Sequence, residues 1–140
     1  MVISSLIIIL TLLIFLGILE NYYHNKALAK IPIRIHVNGA RGKSSVTRLI
    51  AAGLRAGGIV TMAKTTGSAP RIIDKEGRDL IIHRLRSASI GEQVKLIRNF
   101  SKKKIEALVI ECMAVQPQYQ WIAEQKMIKS TISVITNVRP

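Results

Sequence analysis

The most prominent pattern in the chain is an uninterrupted apolar run at positions 2–19, which is rich in Ile and Leu and contains no charged residue. As an α-helix this run would be about 27 Å long, close to the ~30 Å hydrocarbon core of a bilayer. Tyr22 and Tyr23 follow, at a place suited to the membrane interface. Three basic residues come next, Lys26, Lys30 and Arg34. The pattern predicts a membrane anchor over residues 1–20, with the following domain in the cytoplasm because the C-terminal flank is positive.

A cleaved signal peptide and a buried core helix are the alternatives for this run. A signal peptide would carry a basic segment before the run and a small-residue cleavage site after it, and neither is visible. A core helix would show a polar face, for which the run offers Ser4, Ser5 and Thr11 alone. Residues 21–32 are predicted to form a linker, or a continuation of the helix that ends before Pro32.

From residue 33 the pattern changes to short β-branched runs that alternate with helical periodicity. The runs predict strands at 33–38, 59–64, 105–111 and 131–136, and a β-hairpin of 71–73 with 80–82. Helices are predicted at 45–56, after the capping box Ser89-x-x-Glu92, and at 117–128. Strands that alternate with helices in this way require a parallel sheet with right-handed crossovers. The sequence therefore predicts an α/β domain over residues 33–140.

The first predicted strand runs into a glycine-rich turn, Gly39-Ala40-Arg41-Gly42-Lys43-Ser44-Ser45, and a predicted helix follows. Glycines let backbone N–H groups approach phosphate oxygens, and the positive end of the helix dipole adds to the attraction. Lys43 would reach the terminal phosphates of ATP, and the Ser44 hydroxyl would complete the shell of a Mg²⁺ ion. The longer phosphate-loop pattern has a further glycine where this chain has Val37. A turn that merely caps the helix is the alternative.

Four residues fall at the carboxyl ends of predicted strands: Gly39, Thr65, Glu111 and Asn137. Ligands of parallel sheets bind at these ends, so the four positions are expected to share one site. Glu111 ends a strongly apolar strand, where a carboxylate is costly unless it is paired or binds a metal. Beside Ser44 it would hold a Mg²⁺ ion that bridges ATP phosphates. A solvated carboxylate at a strand end is the alternative.

Composition narrows the choice of partners. The chain has 21 Lys and Arg against eight Asp and Glu, which gives a net charge of +13. Nucleic acid is the weakest explanation of this charge, because the basic residues are spread through the chain and are not clustered with aromatics. The other two explanations of the positive charge are an anionic lipid surface and an acidic substrate or product. If they point toward the site, the arginines on or beside the predicted hairpin could guide a polyanionic substrate or product: Arg71, Arg78, Arg84 and Arg86. A solvated face is the alternative.

The single cysteine, Cys112, excludes an intrachain disulfide and a cysteine-based zinc site. We expect it to be a small packing residue rather than a nucleophile, because no histidine close to it in the sequence argues for activation. His36 and His83 are isolated in the sequence and are expected to be structural.

Several segments together resemble the membrane-anchored ligase subunits of poly-γ-glutamate synthase, a family of the Mur-ligase type of ATP-dependent amide ligases. The compact loop G-x-x-G-K-[ST]-[ST] is the form found in Mur ligases, and the stretch Glu111-Cys112-Met113-Ala114-Val115 is far more specific. The other matching stretches are Val46-Thr47-Arg48-Leu49, Lys64-Thr65-Thr66-Gly67, Ile90-Gly91-Glu92-Gln93, Pro117 with Tyr119 and Gln120, and Thr136-Asn137-Val138. Order and spacing agree over nearly the whole chain, including the apolar N-terminal run.

The resemblance implies an incomplete Mur-ligase central domain that is tethered to the inner face of the cell membrane. In this family ATP phosphorylates a carboxylate of the growing chain, and the amine of an incoming glutamate attacks the acyl phosphate to give an amide, ADP and phosphate. The implied activity is an acid–amino-acid ligase of poly-γ-glutamate capsule synthesis. Its implied partners are glutamate, the poly-γ-glutamate chain, the membrane and the other synthase subunits, PgsC/CapC and PgsA/CapA, without nucleic acid.

By motif, the resemblance also assigns roles to residues of this chain. Lys43 and Glu111 would be catalytic, and Ser44 with Glu111 would bind Mg²⁺. ATP would be bound by Gly39, Ala40, Arg41, Gly42, Lys43, Ser44, Ser45 and Asn137. The acyl side of the site would be lined by Thr65, Thr66 and Gly67, with Arg71 beyond them. One departure is the stretch Ser68-Ala69-Pro70-Arg71, since an acidic residue is expected before the arginine in relatives.

The chain stops directly after a predicted strand, so we expect it to be the N-terminal portion of a longer protein. The family's Asp-His pair, a further metal ligand and the C-terminal domain are expected beyond Pro140. Alone, such a portion is expected to bind nucleotide weakly and not to complete the reaction.

Two other functions remain open on the sequence. One is a membrane-tethered phosphate-loop ATPase or kinase, which a strand ending in Asp or an ABC-type signature would favour, whereas this chain has Ile110-Glu111-Cys112-Met113-Ala114. The other is a non-catalytic nucleotide-binding interaction module, whose phosphate loop would be structural.

Overall fold

The computed structural model describes residues 1–67, 69–82 and 90–139, which form four α-helices, one π-helical segment and six strands. The helices are α1 (Val2–Ala29), α2 (Lys43–Ala56), α3 (Ile90–Lys102) and α4 (Pro117–Ile122), and the π-helical segment Ala123–Ile128 continues α4. The strands are β1 (Ile33–Asn38), β2 (Thr61–Thr65), β3 (Arg71–Ile73), β4 (Asp79–Ile81), β5 (Ala107–Glu111) and β6 (Ile132–Ile135).

The strands form one sheet with the order β4-β3-β2-β5-β1-β6. The four strands β2, β5, β1 and β6 are mutually parallel, and the hairpin β3–β4 extends the β2 edge in antiparallel pairing. The predicted α/β class and the predicted hairpin are both confirmed. All four parallel strands end at the same edge of the sheet, so the loops that follow them meet there.

Two apolar layers cover the sheet, because alternate residues of each strand point to opposite faces. On one face Ile35, Val37 and Val109 pack with Ala51 of α2. The larger layer, on the other face, combines the end of α1 with α3, the π-helical segment and strand residues such as Met62. Its buried members are Leu28, Ile31, Met62, Ile97, Phe100, Ile105, Leu108, Ile110, Met127 and Ile128. Full burial of one such side chain contributes about 1.5–3 kcal/mol.

Helix α1 is continuous through Ala29, so the helical alternative for residues 21–29 is the one that the structure shows. It is long and apolar enough to cross a membrane, and none of its most apolar window is buried. A signal sequence passes the same test of length and composition, whereas a soluble core helix would be mostly buried. The end of α1 differs, because His24, Ala27 and Leu28 are buried against the domain.

Several predicted boundaries shift by a few residues. Helix α2 begins at Lys43 instead of residue 45, because Gly42 adopts a left-handed conformation (φ 79°) and serves as its N-cap. Strands β2 and β5 begin two residues later than predicted, and the segments before them are joined by Glu106 N–H, which donates to Val60 O at 2.8 Å. Helix α3 begins at residue 90, and Ser89 of the predicted capping box lies outside the described residues.

The predicted helix at 117–128 is correct in extent but changes winding after Ile122. The wider π-turn ends where Lys129 N–H donates to Glu124 O at 2.8 Å, five residues back, and Lys129 is left-handed (φ 47°). Glu124 is fixed at this turn by Ser130 and by His36 of β1. Hydrophobic periodicity cannot reveal such a change, because the apolar spacing of one widened turn differs little from that of an α-helix.

Candidate nucleotide-binding site

The glycine-rich loop begins where β1 ends and delivers the chain to the N-terminus of α2. Gly39 and Gly42 have φ values of 137° and 79°, which residues with a Cβ rarely adopt. Lys43 folds back over the loop, and its Nζ donates to Gly39 O at 2.7 Å. The side chain of Asn38 caps the start of the loop, since its Oδ1 accepts from Gly39 N–H at 2.8 Å. The turn thus has a defined shape, with its lysine in front of the N-terminus of α2.

The end of β6 holds this loop from the side. Asn137 Oδ1 accepts hydrogen bonds from Ala40 N–H at 3.0 Å and from Arg41 N–H at 2.9 Å. Thr136 Oγ1 donates to Arg41 O at 2.7 Å. A Cβ on Gly39 would overlap Thr136 Oγ1 and lie 3.1 Å from Asn137 N, so this contact requires glycine. The structure therefore brings Asn137 to the loop, as the shared sheet edge predicts.

Glu111 lies at the end of β5, directly beside the first turn of α2. Its Oε2 accepts hydrogen bonds from Ser44 Oγ at 2.8 Å and from Thr66 N–H at 2.7 Å. The residue is 4% exposed, so these contacts replace much of its hydration. Gly67 lies beside Ser44, because a Cβ at position 67 would stand 3.3 Å from Ser44 Oγ. Three predicted positions, Ser44, Glu111 and the loop after β2, therefore meet.

These elements surround a cleft of about 620 Å³ at the carboxyl edge of the sheet. From the predicted set the cleft is lined by Gly39, Ala40, Lys43, Thr66, Gly67, Glu111 and Asn137. The side chain of Thr65 is instead buried within β2, and Ser45 is exposed on α2. Thr65 and Ser45 therefore do not line this cleft, although the sequence predicts a binding role for both residues.

The two hairpin arginines that the structure describes, Arg71 and Arg78, pair with neighbouring carboxylates. Arg71 faces Asp79, with 3.8 Å between Nη1 and Oδ2, and Arg48 of α2 binds the same carboxylate at 2.8 Å. Arg78 Nε pairs with Asp74 Oδ2 at 2.8 Å. Burial opposes ionisation of Asp74, but the hydrogen bonds and charge of Arg78 outweigh it and lower the pKa of that carboxyl. Arg71 and Arg78 thus have local partners, while His83, Arg84 and Arg86 lie outside the described residues.

A chain of polar contacts behind the loop has no signal in the sequence. Asn38 Nδ2 donates to Gln120 Oε1 at 3.0 Å, and Gln120 Nε2 donates to Val115 O at 3.1 Å. Two residues earlier on β1, His36 Nδ1 lies at hydrogen-bond distance, 2.7 Å, from Glu124 Oε2. Helix α4 and its π-helical continuation are thereby fixed to β1 just before the glycine-rich loop.

The carboxyl of Glu124 is the centre of this contact. Burial opposes its ionisation, but hydrogen bonds from Ser130 and from His36 outweigh burial and lower the pKa of Glu124. His36 therefore has the structural role that the sequence predicts, although its partner is 88 residues away. Burial also raises the pKa of Cys112, which fits a packing residue better than a nucleophile.

A second cavity, of about 350 Å³, lies next to the cleft under the segment that follows β5. Glu111, Met113, Ala114 and Val115 line both spaces. The remaining wall is mainly apolar and comes from α4, the π-helical segment, His36 and Gln93. The stretch at residues 111–115 thus separates this cleft from a more apolar cavity.

Comparisons with known proteins agree with the resemblance drawn from the motifs. The chain is 45% identical over 130 residues to the capsule biosynthesis protein CapB of Bacillus anthracis. It is 39% identical over 135 residues to the PGA synthase CapB of Bacillus subtilis (strain 168). The chain is a homologue of these CapB proteins. Both relatives carry the name CapB, so the resemblance to PgsB or CapB that the motifs predict is confirmed.

The two alignments cover 90% and 95% of this chain but 28% and 34% of the CapB relatives. The chain therefore spans about a third of the length of the curated CapB proteins that it matches. No protein-family model matches the chain.

Proposed function

We propose that this chain forms the ATP-binding part of a membrane-anchored amide ligase that adds glutamate to poly-γ-glutamate in capsule synthesis. The names of the CapB relatives support a role in making this polymer, and the apolar, exposed helix α1 supports a single-pass anchor in the cell membrane. The proposed cytoplasmic side follows from the positive residues after the apolar run. The ATP dependence is our inference from the geometry of the cleft.

The observation that carries the proposal is that Lys43 and Glu111 line one cleft and that Ser44 is hydrogen-bonded to Glu111. A flexible cation in front of a helix N-terminus suits the phosphates of ATP. The hydroxyl of Ser44 and the carboxylate of Glu111, with 2.8 Å between their oxygens, are hard oxygen donors of the kind that Mg²⁺ prefers. Their existing hydrogen bond would be exchanged for bonds to the ion.

The described residues contain no group of three or more His, Cys, Asp or Glu side chains that could hold a metal ion. This fits Mg²⁺ better than a transition metal, because Mg²⁺ is commonly held by one or two protein oxygens together with phosphates and water. When bound, the ion would neutralise charge on the phosphates during transfer. The residues present thus fit a magnesium–nucleotide complex.

In the proposed reaction a carboxylate of the polymer takes the terminal phosphoryl group of ATP, and the amine of glutamate then displaces phosphate to form the amide. Within this chain Lys43 would bind the transferred group, and the backbone N–H groups at the start of α2 would orient it. The loop at Thr66 and Gly67 faces the cleft from the other side and would position the carboxylate. The other membrane subunits of the synthase, PgsC/CapC and PgsA/CapA, are the proposed partners.

The test is glutamate-dependent ADP release from membranes of cells that express the complete gene together with those of the other subunits. Lys43→Ala and Glu111→Gln should abolish this release, whereas the matched controls Lys75→Ala and Glu76→Gln on the hairpin turn should retain it. ATP turnover that ignores glutamate would favour a phosphate-loop ATPase or kinase. Nucleotide binding without turnover, when every subunit is present, would favour an interaction module.

A further inference from the structure

The end of α1 is joined to the domain by side-chain contacts and not by packing alone. His24 Nε2 lies 2.6 Å from Met127 O, and Lys129 Nζ donates to Asn25 Oδ1 at 2.7 Å. Leu28, one turn further on, is 3% exposed within the larger core. The described chain therefore has no flexible joint between the apolar segment of α1 and the sheet.

A contact between α1 and α3 fixes the height of the domain relative to the apolar run at residues 2–19. Arg98 of α3 donates through Nη2 to Glu20 O at 2.8 Å, and the same nitrogen lies 3.5 Å from Glu20 Oε1. Glu20 directly follows the last apolar residue of the run. If residues 2–19 span the hydrocarbon core, Arg98 must lie at the level of the lipid headgroups.

Two exposed lysines flank Arg98 on α3. Lys95 and Lys102 are seven residues apart, two helical turns, and so share one face of the helix. They stand only about 4.5 Å and about 6 Å from Arg98 along the axis of α3. Both offsets are shorter than the screening length of ~8 Å at physiological salt, so the inclination of α3 alone does not carry either lysine beyond the range of the headgroup charge. Among residues 91–102 the exposed ones are Gly91, Lys95, Asn99 and Lys102.

Lys129 adds a positive charge on another element. It contacts Asn25, which lies about 7.5 Å below Glu20 along α1 and therefore near the outer limit of the headgroup layer. Its side chain is exposed apart from this contact. The basic surface of α3 and Lys129 thus surrounds the point at which α1 leaves the domain.

We infer that this surface, formed by Lys95, Arg98, Lys102 and Lys129, lies directly on the anionic headgroups of the membrane that α1 spans. The inference rests on the proposed membrane anchor. It adds that the domain is held against the bilayer at two points, through α1 and through charge on α3. Because α1, α3 and the sheet pack as one body, the cleft would keep a fixed orientation and height above the lipid.

The experiment places the complete gene product in nanodiscs of phosphatidylcholine alone or mixed with phosphatidylglycerol. A fluorophore on Asn99→Cys, between the two lysines, reports quenching by headgroup-labelled lipid, and the buried Cys112 does not compete for the label. Quenching should be stronger with phosphatidylglycerol and should fall with added salt. Lys95→Glu with Lys102→Glu should reduce the enrichment of labelled phosphatidylglycerol roughly fivefold per lysine, whereas Lys75→Glu should not.

Insertion is measured separately, by resistance of the protein to alkaline extraction from the membranes of expressing cells. One outcome is that the protein is inserted while its label is quenched equally in both lipids and in the Lys95→Glu, Lys102→Glu variant. That result would overturn the inference and leave the anchor intact. Protein that is extracted would overturn the anchor and the inference together. Quenching that appears only with the other synthase subunits would also overturn it, because the surface would then bind protein.

Discussion

Ser44 and Glu111, which are 67 residues apart in the chain, are joined by a hydrogen bond of 2.8 Å between Oγ and Oε2. The bond links the first turn of α2 to the end of β5, where Glu111 lines the proposed nucleotide cleft. A second bond to the same oxygen, from Thr66 N–H, brings in the loop after β2. One buried carboxylate oxygen at the end of β5 therefore joins the first turn of α2 to the loop after β2.

This relationship predicts the effect of Glu111→Gln on magnesium dependence. The amide keeps the size of the side chain and can still accept from Thr66 N–H, but it is a neutral and weaker ligand of Mg²⁺. Mg-ATP should raise the Tm of the wild-type complete protein more than ATP with a chelator does. We expect the variant to lose this magnesium-dependent part, with Glu76→Gln as the control. A variant that keeps the full magnesium effect would remove Glu111 from the metal site.

Alanine substitutions of Gly39 in the loop and of Gly53 in helix α2 should have opposite effects on stability. Gly39→Ala places a methyl group against Thr136 Oγ1 and Asn137 in a backbone conformation (φ 137°) that alanine disfavours. It should lower the free energy of unfolding by about 2 kcal/mol or more and weaken ATP binding. Gly53→Ala lies inside α2 with nothing within 4 Å of the new Cβ. It should raise stability by about 0.5–1 kcal/mol.

Both glycine variants are measured by chemical denaturation in detergent micelles, with fluorescent ATP binding recorded alongside. Equal effects of the two substitutions would mean that the contact of the loop with the end of β6 does not determine its shape.

The sequence predicts this part of the site well for a physical reason. Parallel strands end at one edge, so residues that follow them must meet, whatever the order of the strands. Gly39, Glu111 and Asn137 could therefore be placed together without knowing that β5 and β6 lie on either side of β1. The glycines of the loop are equally informative in the sequence, because glycine is strongly preferred where the backbone φ is positive.

Pairings between a helix and a strand could not be predicted in the same way. His36 and Glu124 meet because the π-helical segment crosses β1, and nothing local to either residue indicates that crossing. Arg34 shows the same difficulty. In the sequence it belongs to the positive flank of the anchor, whereas in the structure its guanidinium donates to backbone carbonyls of two helix ends. Charge alone does not distinguish a basic residue on the surface from one that caps a helix.

The Glu124 carboxylate predicts a specific dependence of stability on pH. Its pKa is lower in the folded protein than its ordinary value, because Ser130 and His36 stabilise the ionised form more than burial opposes it. The stabilisation is therefore complete above the ordinary pKa of a glutamate and is lost as the pH falls through the lowered value. Glu124→Gln should cost about 1–3 kcal/mol at neutral pH, and this difference should shrink in acid.

Denaturation midpoints of the two proteins, compared at neutral pH and in steps toward acid, give the measurement for Glu124. Glu76→Gln is the control, because Glu76 is exposed on the hairpin turn. A difference between wild type and Glu124→Gln that stays constant over the acid range would show that the carboxylate does not contribute through its charge.

Arg34→Lys tests how the anchor helix is joined to the domain. Arg34 Nη1 donates to Leu28 O and Ile31 O at 3.2 and 2.6 Å, and its Nε donates to Ile128 O and Lys129 O at 3.1 and 3.0 Å. Leu28 and Ile128 lie in the last turns of α1 and of the π-helical segment, and Ile31 and Lys129 follow just after these helix ends, where helix dipoles favour a cation. Lysine keeps the charge, but its compact ammonium group cannot span both ends as the planar guanidinium does.

We therefore expect Arg34→Lys to lower the free energy of unfolding by about 2–4 kcal/mol. Arg48→Lys, at a half-exposed pair with Asp79, should cost less than about 1 kcal/mol. Chemical denaturation in micelles compares the two variants, and limited proteolysis near residue 30 reports whether α1 has separated from the sheet. If both substitutions cost the same, or if the junction stays protected in Arg34→Lys, then apolar packing at Leu28 and Ile31 suffices to hold the anchor helix on the domain.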